Sequence, residues 1–143
     1  MLSSVLWRTQ LLVAFIIGGL GIALGETAAP SDASVYIISP TDGDTVNNPI
    51  KVQFGLSGMG VAPAGVDMPS TGHHHLLIDV DEPLDPNEPI PQDKAHLHFG
   101  AGQTEAFLEL SPGKHTLQLV LGDWSHFPFQ PPIMSDVITI TVK

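Results

Sequence analysis

Beyond residue 34 the chain consists of short runs in which apolar residues return at every second position, each soon cut by proline, glycine or aspartate. Ile50, Val52, Phe54 and Leu56 share one parity, as do Ala106, Leu108 and Leu110, then Leu117, Leu119 and Leu121, then Ile138, Ile140 and Val142. A period of two is that of a half-buried strand, whereas a helix repeats its apolar residues every three to four positions. Turn-forming stretches such as Pro40-Thr-Asp-Gly-Asp44 and Ser111-Pro-Gly113 separate the runs. Strands are expected at 35–39, 50–57, 73–80, 96–99, 104–110, 114–121 and 135–142. About seven short strands with no helical period predict an all-β domain over 34–143, an immunoglobulin-like β-sandwich; a jelly roll or small barrel fits the same pattern. Gly58–Gly72 and Gly122–Pro132 are expected loops. Asp81–Ala95, with four prolines and five acids, is expected to be an exposed loop.

The first residues have a different character. Leu11–Leu24 is apolar and uncharged. It is shorter than the roughly 20 residues a membrane-spanning helix requires. It has the length of a signal-peptide core, and Ala23-Leu24-Gly25 offers small residues for cleavage, with Thr27-Ala28-Ala29 as a second place. The expected organisation is a signal peptide over 1–25, a polar linker over 26–33 and the β domain. The protein is thus expected in the periplasm or outside the cell, with no membrane span in its mature form.

Cleavage removes Arg8, the only arginine, and makes the formal charge of −10 one unit more negative. Such a balance disfavours nucleic acid and anionic lipid and suits cationic partners. The absence of cysteine excludes disulfides, thiolate ligands and a cysteine nucleophile.

All seven histidines fall between positions 73 and 126, as His73-His74-His75, His96, His98, His115 and His126. Neutral imidazole is the commonest side-chain ligand for transition metals. Strand parity sorts these residues. Leu76, Ile78 and Val80 form the apolar set of their strand, so His74 points inward with them while His73 and His75 face the other way. Leu97 and Phe99 are the core residues of the next short strand, which puts His96 and His98 on the opposite face. If the two strands are neighbours, His73, His75, His96 and His98 converge. His126, in a loop beside Asp123 and Trp124, can complete the site, and Met59 and Met68 in the loop preceding His73 each offer a thioether, a ligand suited to copper, with Met59 the candidate addition to the site. His115 shares parity with Leu117 and follows a Pro-Gly turn, and it is expected to be a buried, hydrogen-bonded structural residue.

No phosphate-binding Gly-Lys-Ser/Thr loop, Gly-x-Ser-x-Gly elbow or His-Glu-x-x-His motif occurs. His96-Leu-His98-Phe-Gly100 resembles locally the His-x-His-x-Phe-Gly strand of copper/zinc superoxide dismutases. That likeness covers five residues, without those enzymes' cysteines or arginine. An enzyme is not expected.

A wider resemblance rests on Gly58-Met-Gly-Val-Ala-Pro-Ala-Gly65, Gly72-His-His-His-Leu-Leu-Ile-Asp79, His96-Leu-His-Phe-Gly100, Gly102-Gln-Thr-Glu105 and Pro112-Gly-Lys-His-Thr-Leu-Gln-Leu119. It extends to Gly122-Asp123, His126, Pro131-Pro132 and Ser135. Over about residues 50–143 the chain resembles the secreted bacterial family catalogued as domain of unknown function 4399. The resemblance implies export and a compact domain. It departs at Phe129, where the family pattern often carries histidine.

The expected function is binding of a transition metal by clustered histidines, for storage, delivery or resistance. Copper is preferred from the affinity order, with zinc or nickel next. The alternative is an envelope interaction module, in which the histidines are structural and the acidic proline-rich loop meets a partner protein.

Overall fold

The computed structural model describes residues 27–143, so the expected signal peptide lies outside the described residues. Nine strands follow one another: β1 (Ser34–Ser39), β2 (Thr45–Val46), β3 (Ile50–Ser57), β4 (Gly60–Val61), β5 (Thr71–Ile78), β6 (His96–His98), β7 (Glu105–Leu108), β8 (Gly113–Gly122) and β9 (Ile138–Val142). The seven expected strands are all present; β2 and β4, two residues each, are additions too short for a periodic signal. Among the described residues no helix is long and apolar enough to cross a membrane.

The strands form two sheets. One runs β1-β3-β7; the other runs β2-β9-β8-β5-β4, with β6 also paired to β5. The arrangement is immunoglobulin-like: β1, β3 and β7 take the places of strands A, B and E, and β5, β8 and β9 those of C, F and G. The alternating residues meet between the sheets. Val35, Ile50, Val52, Phe54 and Leu108 from one face Leu76, Ile78, Leu117, Leu119, Leu121, Ile140 and Val142 from the other. Burying a large aliphatic side chain is worth roughly 1.5–3 kcal/mol, so this parity locks the register: a slip of one residue would turn each set to water. Phe129 belongs to the same core.

Two expectations are corrected. The 81–95 segment is not simply an exposed loop. Ile90 is buried against Leu77 and Val120 on the outer face of the second sheet, where Val80, Leu84 and Met134 join it. Val80 is therefore not inward with Leu76 and Ile78. The strand ends at Ile78, and Asp79 adopts a left-handed φ of 56°. Its carboxylate accepts from Thr116 N (2.8 Å) and pairs with His115 Nδ1 (2.7 Å), which turns the chain outward. As a result β5 is covered on both faces, and buried from Gly72 to Ile78.

His115 has the expected hydrogen-bonded structural role, though it is partly exposed rather than buried. Its Nε2 lies 2.9 Å from the Ser111 carbonyl oxygen and ties down the preceding turn, while Nδ1 bonds Asp79. Both nitrogens face acceptors, so the protonated ring is favoured. The hydrogen bond to Asp79, then that to Ser111, raises its pKa above the usual 6.5.

Candidate metal centre

The site is assembled by strand pairing. In the antiparallel register of β5 and β6, His75 stands directly opposite His98, and Leu76 opposite Leu97. Because alternate residues share a face, His73, His75 and His98 all leave the sheet on the side away from the main core. On the other flank of β5, His73 pairs with Gly122 of β8. The chain then turns at Asp123–Phe127 and brings His126 over the same patch.

The four rings surround one another. Centroid separations are 4.9 Å for His73–His75, 5.1 Å for His73–His98, 5.0 Å for His73–His126, 5.0 Å for His75–His98, 6.1 Å for His75–His126 and 4.8 Å for His98–His126. Five of the six separations lie between 4.8 and 5.1 Å and the sixth, His75–His126, is longer, so the four rings outline a distorted tetrahedron. Four imidazoles on one ion, with metal–nitrogen bonds of about 2.0–2.1 Å arranged tetrahedrally, place their ring centroids about 5 Å apart. His73, His98 and His126 offer ligand atoms within 4.8 Å of one another, a group that could hold a metal ion. Nε2 of His75 lies 3.0 Å from Nε2 of His73, one ring donating to the other.

Space for the rings is made by two glycines in ordinary backbone conformations. A Cβ on Gly122 would come within 2.9 Å of His75 Nε2, and one on Gly100 within 2.6 Å of His98 Nε2. The glycines of His98-Phe-Gly100 and Gly122-Asp123 are therefore part of the site.

The centre is dry. His73 and His75 have no exposed surface, and His98 and His126 are partly buried. Burial, followed by the neighbouring imidazoles, holds His73 at a pKa of about 4 and His75 at about 3, and His98 is lowered for the same reasons. The rings of His73, His75 and His98 are thus neutral near pH 7, the form that binds metal. Nδ1 of His73, Nδ1 of His75 and Nε2 of His98 are buried without a hydrogen-bond partner. Each such orphan costs about 1–3 kcal/mol, which a bound ion would offset wherever it engages one.

Asp123, almost fully buried, supports the loop that carries His126. Its Oδ1 accepts from Ser125 N (2.8 Å), Ser125 Oγ (2.9 Å) and Phe127 N (2.9 Å), and its Oδ2 accepts from Thr27 Oγ1 (2.6 Å). The carboxylate's charge also acts on His73, in the direction that raises its pKa. In the sequence Asp123 stands out as a neighbour of His126 and as part of the family resemblance, not as a support for the turn. The Asp-x-Ser spacing, which lets a carboxylate accept a backbone amide two residues on, was the available signal.

The other expected ligands lie elsewhere. His96 shares a face with His98 but stands opposite Leu77, and its Nδ1 bonds Asp93 Oδ1 at 2.8 Å. Met59 packs against the main core. Met68 is exposed in its loop. His74 points inward as expected, its ring centroid 5.2 Å from that of Phe54, and burial lowers its pKa to about 4 with partial relief from the Gln103 backbone.

Fold and site together define an immunoglobulin-like β-sandwich with four imidazoles gathered on the outer face of one sheet. The chain belongs to the family described as Domain of unknown function (DUF4399), whose model matches residues 52–143 and so includes all four histidines. No curated protein and no solved structure matched the chain.

Proposed function

We propose that this protein is exported and binds one transition-metal ion through His73, His75, His98 and His126, for storage, delivery or resistance. The near-tetrahedral spacing of the four rings carries the reading. The apolar stretch at Leu11–Leu24 supports export. The donor set is all imidazole, which suits copper, zinc and nickel; the affinity order among divalent ions puts copper first. Met59 adds no support, since it packs on the main core. Zinc is the second reading, because tetrahedral coordination is the geometry it adopts in closed sites. Four protein ligands fill a tetrahedral shell and leave no open position for a substrate, so holding an ion fits the site better than catalysis.

The test is metal analysis of the exported protein purified without a histidine tag, followed by copper and zinc titration. One equivalent bound tighter than micromolar is expected, with loss on His73→Ala plus His98→Ala. Weaker binding, or binding that survives this double substitution, would overturn the proposal.

A further inference from the structure

His126 differs from the other three histidines of the site in how it is held. His73, His75 and His98 project from paired strands, whereas His126 comes from a five-residue turn and has a left-handed φ of 74°. A β-carbon disfavours that conformation, so the turn must be stabilised from outside. The Asp123 backbone does so in part: its N donates to Phe127 O at 2.9 Å, and its carbonyl accepts from His126 N at 3.0 Å. The Asp123 carboxylate, only 2% exposed, does the rest through Ser125 and Phe127.

Besides the Ser125 hydroxyl, that carboxylate accepts from a second hydroxyl, which comes from the other end of the described residues. Thr27 Oγ1 donates to Asp123 Oδ2 at 2.6 Å across a separation of 96 residues. The segment is fixed by main-chain bonds as well: Gln130 N donates to Thr27 O, and Ala29 N to Gln130 O, each at 2.9 Å. The expected polar linker thus carries a short parallel bridge, Ala28 to Gln130, beside the turn that presents His126.

Resting on the metal-binding reading above, we infer that Thr27 and Asp123 are positioning residues for the fourth ligand: the segment Thr27–Ala29 straps the His126 turn in its binding conformation. Metal affinity then depends on a hydroxyl that touches no ion. The inference also bears on processing. Cleavage after Gly25 keeps the strap; cleavage at Thr27-Ala28-Ala29 discards Thr27 and leaves a weaker site.

The experiment uses protein exported from the full-length gene, comparing wild type with Thr27→Val, Asp123→Asn and His126→Ala. Removing an outer-shell partner of a metal ligand costs about 10–100-fold in affinity. Thr27→Val is expected at the lower end of that range and Asp123→Asn higher, both measured by titration with copper(II) and with zinc. Copper(II) resonance spectra should lose one nitrogen coupling in His126→Ala and become heterogeneous in Thr27→Val. A metal-free readout keeps the two proposals separable. Amide exchange at Ser125 and Phe127 should quicken in Thr27→Val, while that at Phe99, whose N donates to His74 O, stays slow. Unchanged exchange and unchanged affinity in Thr27→Val overturn the strap. If wild type binds no metal, the metal-binding reading falls, and with it the assignment of His126 as a ligand. Should Asp123→Asn fail to fold, Thr27→Val, which conserves shape, still decides.

Discussion

At the scale of single residues, the site depends on side chains that are missing as much as on those present. Gly122 and Gly100 vacate the volume that the rings of His75 and His98 fill. Gly122→Ala should therefore lower stability by about 1–3 kcal/mol, the usual cost of overpacking, and weaken metal binding as His75 is displaced. Denaturant melts and titration of the same variant check both effects. His115 gives a prediction with the opposite pH sense from the buried cluster. Its folded pKa is raised, so the stabilisation is fully present below 6.5 and is lost as pH rises through the folded value. Asp79 is about half exposed, so solvent limits the effect to below about 1 kcal/mol. Ring titration by nuclear magnetic resonance should place His115 above 6.5, and Asp79→Asn should return it towards that value. The separation of His115 from the cluster was legible in the sequence, because it shares parity with Leu117 just after a Pro-Gly turn. Which histidine of β6 joins the cluster was not. His96 and His98 have the same parity, and only the pairing of β6 against β5 shows that His98 meets His75 while His96 passes beyond it.

At the scale of elements, the outer face of β5 is closed by two loops that composition alone presents as irregular. Ile90 N donates to His126 O at 2.8 Å, so the proline-rich loop is hydrogen-bonded to the turn that holds the fourth histidine. Ile90 is buried in the small second cluster with Leu77 and Val120. Ile90→Ala should cost about 2 kcal/mol, the low end for such truncations because the cluster is small, and should speed amide exchange near His126. A contrast between histidines of one strand provides a second check. His98→Ala should reduce affinity by orders of magnitude, whereas His96→Ala should leave it nearly unchanged, since His96 stands opposite Leu77 and its ring bonds Asp93 rather than the cluster. Equal losses in titrations of the two variants would contradict the assignment.

For the whole molecule, the buried cluster links metal, protons and stability. His73 and His75 are held well below 6.5, so the folded metal-free protein resists protonation there while the unfolded chain does not. Their contribution is fully present above about 6.5 and is lost as pH falls towards 4 and below. Metal-free protein should thus unfold progressively more easily on acidification through this window, as thermal melts from pH 7 to 4 would show. A bound ion opposes this, stabilising the fold by about 4 kcal/mol at a free concentration 1,000 times its dissociation constant. A melting temperature unchanged by saturating copper or zinc would count against specific binding.

The sequence by itself determined the all-β class, the inward parity of each long strand, the inward His74 and the shared face of His73 with His75 and of His96 with His98. These follow from a period of two, which is local and survives without knowledge of partners. Tertiary structure alone decided which strands are neighbours, that His126 joins the histidine cluster and His96 does not, that Gly100 and Gly122 make room for rings, and that Thr27 reaches Asp123. Each depends on residues brought together across tens of positions by the pairing of strands, and no periodicity in a linear chain encodes which edge meets which.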